Sequence, residues 1–327
     1  MKDLALIGYG SVAAKHLQVL RELGAEITAS CNRSRAGQEK AREEGGIPRT
    51  YADIETMLAA ESPAGLVCCV SFDSMYEVGK RIIPAGIPIL LEKPPGTSVA
   101  EALELEELAR RHKTPVMVGL NRRHYSVLQN ALDDAGGLEA ITAVFLDWSE
   151  TPERWLERGS TPDQIARMVF ANSLHGLDLL TYLAGDVRNA DVAASTFGDG
   201  PFRWQMSLHG VSERGVLVNF RSTWDSPGRW GLTFCTKGRR YTFAPLESCL
   251  VLEEGTGTER AIQPDESDQR FKPGFFRQAE AFLHTVATRT VLQGYDLATT
   301  VPAMRLAEQL TVACVKESGQ LAGRVRT

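Results

Sequence analysis

The 327-residue sequence predicts an α/β protein in which a doubly wound parallel sheet is followed by an α+β domain with a large, mainly antiparallel sheet. Three observations support this prediction. Short apolar runs alternate with amphipathic stretches over the first ~120 residues, which is typical of a parallel sheet. Strand-like runs then follow one another without helical spacers between 189 and 254, which favours antiparallel pairing. The chain also exceeds the ~250 to 300 residues at which single hydrophobic cores usually stop growing.

The alternation in the first part of the chain predicts strand and helix in turn. The segments are Leu4–Ile7 then 11–23, Glu26–Cys31 then 35–44, Leu66–Val70 then 74–85, Pro88–Leu91 then 98–112, and finally Pro115–Val118. Strands that are separated by helices pair in parallel through right-handed crossovers. A doubly wound sheet is therefore expected for this part.

The regular alternation of strand and helix ends after residue 121. The predicted elements there are a helix near 125–134, a strand at Ile141–Trp148, helices near 162–185, the strands of 189–254, and helices at Phe275–Val286 and Thr300–Val315. We therefore predict a first domain of residues 1–121 and a second domain of residues 122–327. The C-terminal helices are free to pack back on the first domain.

Composition and charge exclude several classes of partner. The formal net charge is -5 and there is no dense run of Lys and Arg, so neither nucleic acid nor an anionic membrane is an expected partner. The N-terminal apolar run is too short for a signal peptide and no run approaches the ~20 apolar residues of a membrane span, which predicts a cytoplasmic protein. The six cysteines lack metal-ligand spacing, and we expect no metal site.

A glycine motif directly follows the first predicted strand. It reads Gly8-Tyr9-Gly10-Ser11-Val12-Ala13 and leads into a helix that begins Ala14-Lys15-His16. In such a G-x-G-x-x-A turn the first glycine permits the tight turn, the second lets the backbone approach a pyrophosphate, and the amides of the helix N-terminus face the anion. The strand before and the helix after the motif predict a Rossmann domain that binds NAD or NADP.

The end of the second predicted strand indicates which dinucleotide is preferred. An NAD-selective site places Asp or Glu there, about 20 residues after the glycines. Here Asn32 does not repel a 2′-phosphate, while Arg33 and Ser34 offer it a cation and a hydroxyl donor. We therefore predict a preference for NADP(H), with NAD as the alternative. In the competing interpretation Arg33 is merely solvated and Ser34 caps the following helix.

A charged pair followed by two prolines stands at the end of the predicted strand Pro88–Leu91, in the segment Glu92-Lys93-Pro94-Pro95-Gly96. Ligands bind at the carboxyl ends of strands in doubly wound sheets. Because prolines restrict the backbone, the segment is suited to hold Lys93 in a fixed position at this edge of the sheet. Adding this strand end and the residue after the predicted strand Leu66–Val70 to the two turns gives the predicted cofactor contacts: Gly8, Tyr9, Gly10, Ser11, Val12, Asn32, Arg33, Ser34, Ser71, Glu92 and Lys93.

Together with the glycine loop, Glu92-Lys93-Pro94 resembles the family of glucose-fructose oxidoreductase, inositol dehydrogenase and MocA. The segments Val118 to Arg123 and His175 to Leu180 come in the family's order and spacing, so the resemblance covers essentially the whole chain. It implies that Lys93 contacts the nicotinamide ribose and the substrate hydroxyl. It also implies that His175, on a helix of the second domain, faces the nicotinamide as general acid or base, and that the protein forms a homodimer or homotetramer through an exposed sheet face.

The chemistry of alcohol oxidation supports the same two residues. Hydride loss from a secondary alcohol requires a group that takes the hydroxyl proton, and imidazole suits that task near neutral pH. Lys93 would polarise the oxygen, and Asp178, three residues after His175, would lie on the same helical face and orient its ring. A lone histidine on an apolar helix is otherwise usually a core residue.

The sequence departs from the family pattern before this histidine. Many relatives carry an aspartate four residues earlier, where this chain has Ala171, and the glycine-rich stretch often found before that helix is replaced by Arg167 to Phe170. Asn172 is close enough in sequence to bond the substrate or the ring, but a neutral amide does not stabilise an imidazolium as a carboxylate does. The departure bears on the reaction and the substrate more than on the cofactor.

Substrate contacts are expected after the predicted strand Pro115–Val118 and around the histidine helix. Asn121 to Arg123 follow that strand, where a site role competes with a structural ion pair. Trp148, Arg154 and Trp155 combine aromatic faces with a cation, which suits a sugar ring, although tryptophan here is as often a core residue. The predicted substrate residues are Asn121, Arg122, Trp155, Asn172 and Asp178.

The predicted function is hydride transfer between NAD(P) and a secondary hydroxyl or carbonyl of a sugar, sugar derivative or cyclic polyol. Two alternatives remain open at this point. One is a catalytically silent relative that senses a nucleotide or a sugar, which Ala171 favours. The other is a glycosidase that recycles tightly held NAD within each turnover.

Overall fold

A computed structural model describes residues 3–197, 202–224, 226–228 and 230–324, with side chains up to residue 318. The chain divides into two compact units. The first contains the residues up to Tyr125 together with Glu266–Val301, and the second contains Ser126–Asp265 together with the residues from Pro302 onward.

The helices and strands alternate as expected in the first unit and cluster by type in the second. In chain order they are β1 Asp3–Ile7, α1 Ser11–Glu22, β2 Glu26–Cys31, α2 Arg35–Glu43, β3 Arg49–Tyr51, α3 Ile54–Ala60, β4 Gly65–Cys68, α4 Phe72–Ile82, β5 Ile89–Glu92, α5 Val99–His112, β6 Val116–Gly119, α6 Ser126–Ala135, β7 Ala143–Glu150, α7 Pro152–Glu157, α8 Pro162–Ala166, α9 Leu174–Ala184, β8 Asp191–Thr196, β9 Trp204–Val211, β10 Leu217–Trp224, β11 Gly231–Thr236, β12 Arg239–Phe243, β13 Cys249–Glu253, β14 Glu259–Ile262, α10 Glu266–Arg270, α11 Phe275–Thr288 and α12 Val301–Arg324.

The sheet of the first unit is parallel and doubly wound, which confirms the prediction. Its strand order is β3-β2-β1-β4-β5-β6, so the order reverses between β1 and β4. Strands β4 and β5 are fully buried because helices cover both faces, and this explains their continuous apolar sequence. Ligands bind at the carboxyl ends of strands beside such a reversal, where the glycine turn after β1 lies.

The sheet of the second unit has eight strands in the order β14-β13-β12-β11-β7-β10-β9-β8. All its pairings are antiparallel except that of β7 with β10, so the expected mainly antiparallel sheet is confirmed. Side chains along β7 and β10 alternate between buried and exposed positions, and α9 packs against both strands. The helix therefore covers one face of the sheet.

The short elements are where prediction and structure differ. Strand β3 has three residues, none of them buried and none in an apolar run, so the periodicity gave no signal for it. The predicted helical region 162–185 is three pieces: α8, one π-helical turn at Val169–Ser173, and α9. No helix among the described residues is both long and apolar enough to span a membrane.

Candidate active site

The glycine turn between β1 and α1 leaves room for a bound anion. Gly8 has a φ of 82°, and a Cβ there would lie 2.8 Å from the carbonyl oxygen of Cys69, so the turn and its close approach to the end of β4 both require glycine. Gly10 is the N-cap of α1, and a Cβ built on it would meet no atom within 4 Å. The space in front of this helix N-terminus is where the sequence predicts the pyrophosphate of a dinucleotide.

The side chain of Asn32 stabilises the glycine turn through a hydrogen bond. Its Oδ1 accepts a hydrogen bond from the backbone amide of Tyr9 at 2.7 Å, and its Nδ2 donates to Ser30 Oγ at 3.3 Å. The side chain is 7% exposed. Both functional ends of the amide are therefore engaged within the protein, and Asn32 shapes the loop in addition to lying next to the cofactor cavity.

Arg33 and Ser34 differ in how they are held. Ser34 is the N-cap of α2 and accepts a hydrogen bond from the amide of Gly37 at 3.1 Å, as the competing interpretation expected, but its hydroxyl hydrogen is still available to a ligand. Arg33 is exposed and forms no hydrogen bond or ion pair within the described part of the chain. Its guanidinium is thus available to an anion.

Most of the predicted cofactor residues line one cavity of about 640 Å³. A carboxylate, Asp53, also lines it, but this side chain accepts the Thr56 amide at 3.0 Å as the cap of α3 and pairs with Arg81 at 3.3 Å. The predicted residues that line the cavity are Gly8, Tyr9, Gly10, Asn32, Arg33, Ser34 and Ser71. Those that do not line it are Ser11, Val12, Glu92 and Lys93.

Glu92 anchors the Glu-Lys-Pro segment to the glycine helix. Its Oε1 lies 2.7 Å from Nε2 of His16 on α1, and its Oε2 accepts the backbone amide of Lys93 at 3.2 Å. Burial alone would raise the pKa of Glu92, but the hydrogen bond from His16 and the charges of Lys93 and Lys272 bring it below its ordinary value. An ionised carboxylate only accepts hydrogen bonds, so Nε2 of His16 is the donor. The Lys93-Pro94 peptide bond is cis.

The segment after β6 is tied to a turn from the C-terminal part of the first unit. Asn121 is 3% exposed; its Nδ2 donates to the carbonyl of Pro273 at 3.0 Å and its Oδ1 accepts from Arg122 at 2.6 Å. Arg123 is buried and donates to the carbonyls of Gly294 and Thr299. All three residues thus have contacts within the protein; Arg122 is half-buried, and its guanidinium also lies 5.7 Å from the ring centroid of Tyr125.

His175 lies in the first turn of α9, in the second unit. It is 4% exposed, and its ring centroid is 6.3 Å from that of Trp230. Trp230 stacks at 4.1 Å on Trp148, a fully buried residue of β7. The aromatic pair therefore forms part of the surroundings of the histidine, and Trp148 is a core residue. Asp178 is also buried on α9, and its predicted role in orienting the ring stays a prediction.

A buried carboxylate that the sequence did not reveal lies beside this helix. Glu150, at the end of β7, is 5% exposed. It accepts hydrogen bonds from Asn172 Nδ2 at 2.7 Å, from Trp148 Nε1 at 3.1 Å and from Ser173 Oγ at 3.4 Å. Asn172 and Ser173 belong to the π-helical turn that replaces the expected helix start. Position 171 is an alanine, and the carboxylate of Glu150 contacts this turn through Asn172 and Ser173.

Trp155 is half-buried, whereas Trp148, Trp204 and Trp224 of this unit are buried. It lies on α7 with its ring partly exposed, and the guanidinium of Arg158 lies 5.5 Å from the ring centroid. Arg154 is exposed on the same helix. No group of three or more His, Cys, Asp or Glu side chains that could hold a metal ion occurs in the part of the chain that the structure describes.

Comparison with known proteins supports the predicted dinucleotide-binding fold. Residues 2–120 match the model of the GFO_IDH_MocA family, described as an oxidoreductase family with an NAD-binding Rossmann fold. The chain is 29% identical to D-apiose dehydrogenase from Paraburkholderia graminis over 58% of this chain and 52% of that protein, so this alignment spans about half of the relative. It is 27% identical to the rhizopine catabolism protein MocA of Rhizobium meliloti over 94% and 93% of the two chains.

A solved dehydrogenase from Chromobacterium violaceum has the same fold over nearly the full length. The TM-score is 0.83, with 99% of this chain and 98% of that chain covered, at 16% identity. Such a low identity carries the fold alone. The fold of that dehydrogenase is therefore present over nearly the full length of this chain.

Proposed function

Because this chain belongs to the oxidoreductase family of glucose-fructose oxidoreductase, inositol dehydrogenase and MocA, we propose that it transfers a hydride between NADP(H) and a secondary hydroxyl or carbonyl of a sugar, sugar derivative or cyclic polyol. The observation that carries the proposal is one cavity in which the open glycine turn and the exposed Arg33 occur together. The substrate class rests on the relatives, among them a D-apiose dehydrogenase.

The preference for NADP(H) rests on charge at the end of β2. The side chain at the position of the usual acidic residue is the neutral Asn32, and its amide is already bonded to Tyr9 and Ser30. The adjacent Arg33 is exposed to the cavity, and a guanidinium binds phosphate through two parallel hydrogen bonds. These features favour a ribose that carries a 2′-phosphate.

In the proposed reaction the residues of the chain position the reactants and move the proton. The bound nicotinamide supplies the hydride acceptor or donor. Lys93, which Glu92 and the two prolines hold in place, polarises the substrate oxygen. His175 exchanges the hydroxyl proton. The amide of Asn172, fixed by Glu150 through its Nδ2, presents its Oδ1 as an acceptor for a substrate hydroxyl.

Titration of the purified protein with NADPH and NADH at fixed salt, followed by nicotinamide fluorescence, tests the cofactor assignment. Tighter binding of NADPH is the expected result. Tighter binding of NADH would contradict the role given to Arg33 but leave the oxidoreductase assignment intact. Binding of neither nucleotide would overturn the proposed function.

Substitution of the two proposed catalytic residues tests the chemistry, after a screen of sugars and polyols with the preferred cofactor. Lys93→Met and His175→Ala are each expected to lose measurable turnover and retain cofactor binding. Lys237→Met removes an exposed lysine from the β11–β12 turn and serves as the matched control. Wild-type turnover in either variant would remove that residue from the mechanism. Nucleotide binding without turnover on any substrate would indicate a sensing protein. Cofactor that survives purification and is not reduced during turnover would indicate recycled NAD.

A further inference from the structure

One face of α4 forms a wall of the cofactor cavity. Val78 and Arg81 are three residues apart on this helix, so their side chains are neighbours on one face, and both line the cavity of about 640 Å³. Ile54 at the start of α3 and Val70 after β4 line it as well. Ile54 is buried, and both valines are partly buried against the same apolar core. The cavity therefore has apolar side chains and a guanidinium in one region.

Two carboxylates hold the guanidinium of Arg81. Its Nε donates to Oε1 of Glu55 at 2.8 Å, and its Nη2 donates to Oε2 of the same residue. Nη2 also donates to Oδ2 of Asp53 at 3.3 Å. Asp53 is fixed in turn because its Oδ1 accepts the amide of Thr56 at 3.0 Å. The charge of Arg81 is thus balanced within the protein, whereas Arg33 has no such partner among the described residues.

This pairing leaves the flat faces of the guanidinium uncovered. The N–H groups of a guanidinium lie in its plane, so hydrogen bonds to carboxylates are made at its edge. The side chain of Arg81 is 46% exposed although it is paired. Ion pairs with this exposure contribute little to the stability of a fold. What the pairing does provide is a planar cation that is held in one orientation at the wall of the cavity.

The predicted positions of the cofactor's phosphates lie elsewhere in the cavity. The pyrophosphate is expected at the N-terminus of α1 beside Gly10, and a 2′-phosphate beside Arg33. The base that is attached to the same ribose is planar, aromatic and uncharged. It requires a flat contact and apolar neighbours rather than an unbalanced charge, and the wall of α4 offers both.

We propose that the adenine base of the cofactor binds at this wall and stacks on the guanidinium of Arg81, which Glu55 holds in position. This inference rests on the proposed function. Arginine stacks on aromatic rings through its face, and stacking on a base does not depend on what the ribose carries. Arg81 therefore contributes equally to the binding of NADPH and NADH, whereas Arg33 distinguishes between them.

Fluorescence titration of the protein with NADPH, NADH and reduced nicotinamide mononucleotide, which lacks the adenosine, tests this assignment. Arg81→Leu should weaken NADPH and NADH binding by the same factor, about tenfold, and change mononucleotide binding by less than about twofold. Arg81→Lys keeps the charge without the plane and should not restore the affinity. Arg110→Leu is the matched control. It removes an exposed arginine of α5 that pairs with Glu107 at 2.8 Å and does not line the cavity.

The positioning role of Glu55 is tested by a double-mutant cycle. Glu55→Gln should weaken NADPH and NADH equally, and by less than Arg81→Leu, because the amide keeps one acceptor oxygen. In the Arg81→Leu background the same change should have no further effect, since Glu55 acts through Arg81. The unfolding temperature should stay close to that of the wild type in all these variants, because the residues are exposed.

Three results would overturn the inference. They are a loss of NADPH affinity alone in Arg81→Leu, wild-type affinity for both dinucleotides in Arg81→Leu, and full affinity in Arg81→Lys. The first would assign Arg81 to the 2′-phosphate, and the third would assign it a role through charge. All three leave dinucleotide binding by the wild type intact, whereas the absence of that binding would remove the proposed function itself.

Discussion

At the scale of single residues, we propose that selectivity between the two dinucleotides depends on one exposed guanidinium. Arg33 lines the cofactor cavity and has no partner among the described residues, while the neighbouring Ser34 is occupied in part as a helix cap. Charge-assisted hydrogen bonds contribute roughly 1.5 to 3 kcal/mol. The preference for NADPH should therefore be removed by substitution of this residue alone.

We expect Arg33→Ala to weaken NADPH binding by about 10- to 100-fold and to change NADH binding by less than about twofold. Fluorescence titration with both nucleotides at the same ionic strength measures the two constants. Arg35→Ala is the matched control because Arg35 is an exposed arginine two residues away whose partner, Glu39, lies 2.9 Å from it. Equal losses for the two nucleotides in Arg33→Ala would show that Arg33 does not read the 2′-phosphate.

The buried pair of His16 and Glu92 is the second feature at this scale. Removing one partner of a buried pair costs about 3 to 5 kcal/mol, whereas replacing both with apolar residues costs far less than the sum of the two single changes. His16→Leu should therefore lower the free energy of unfolding, measured in urea, by that amount. The double variant His16→Leu/Glu92→Leu should be more stable than the two single variants predict. Additive losses would contradict a direct interaction between the two side chains.

The pH dependence of stability provides an independent check of this pair. The pKa of Glu92 is lowered in the folded protein, so its contribution is present above the ordinary glutamate pKa and is lost as the pH falls below it. Without the donor from His16, burial dominates and the pKa of Glu92 rises. The free energy of unfolding of His16→Leu should therefore rise less than that of the wild type, or fall, as the pH increases through the ordinary glutamate range.

At the scale of elements, the π-helical turn before α9 takes the place of the aspartate-containing helix start of many relatives. Glu150 on β7 holds this turn through Asn172 and Ser173 and also accepts the indole of Trp148. Single π-helical turns inside helices occur frequently at functional sites. Glu150 thus positions Asn172 without being part of α9.

Glu150→Gln should disturb this turn because a neutral amide offers one acceptor oxygen in place of two. One of the donors Asn172 and Trp148 then loses its partner, which should cost about 1 to 3 kcal/mol of unfolding free energy. The turnover rate should fall, and the NADPH dissociation constant should stay unchanged because the glycine turn is in the other unit. Glu153→Gln on the exposed surface of α7 is the control. A shift in NADPH affinity, or wild-type stability, would contradict this role.

Elements whose sequences have a clear hydrophobic period could be predicted from the sequence. Short elements, and residues whose positions depend on tertiary contacts, could not. The buried strands β1, β4 and β5 have apolar runs because both faces of the sheet are covered. Strand β3 is short and is held by its pairing with β2, which leaves no period in its sequence. In the candidate site, the glycine turn and Lys93 stand in local motifs. Arg81 and Glu150 are isolated in sequence, and only backbone and side-chain contacts bring them to their places.

At the scale of the whole molecule, the eight-stranded sheet has one face that the described residues leave uncovered. Asp147 on β7 and Arg221 on β10 pair on this face and line a cavity of about 320 Å³. Val211 on β9 is directly opposite Leu217 on β10, and these apolar side chains are 58% and 49% exposed. The resemblance to the family implies oligomers through such a face, and we propose that this surface joins two copies of the chain.

The double substitution Val211→Lys/Leu217→Lys tests this interface. Two lysines on each copy would bring like charges together without access to water, so the variant should sediment as a monomer under conditions in which the wild type is a dimer or tetramer. Both positions are exposed within the single chain, and the unfolding temperature should therefore change little. Val312→Lys, at a position on α12 that is 63% exposed, makes the same kind of change away from the sheet and should leave the oligomer intact. A monomeric wild type, or a double variant that remains oligomeric, would exclude this face as the contact between copies.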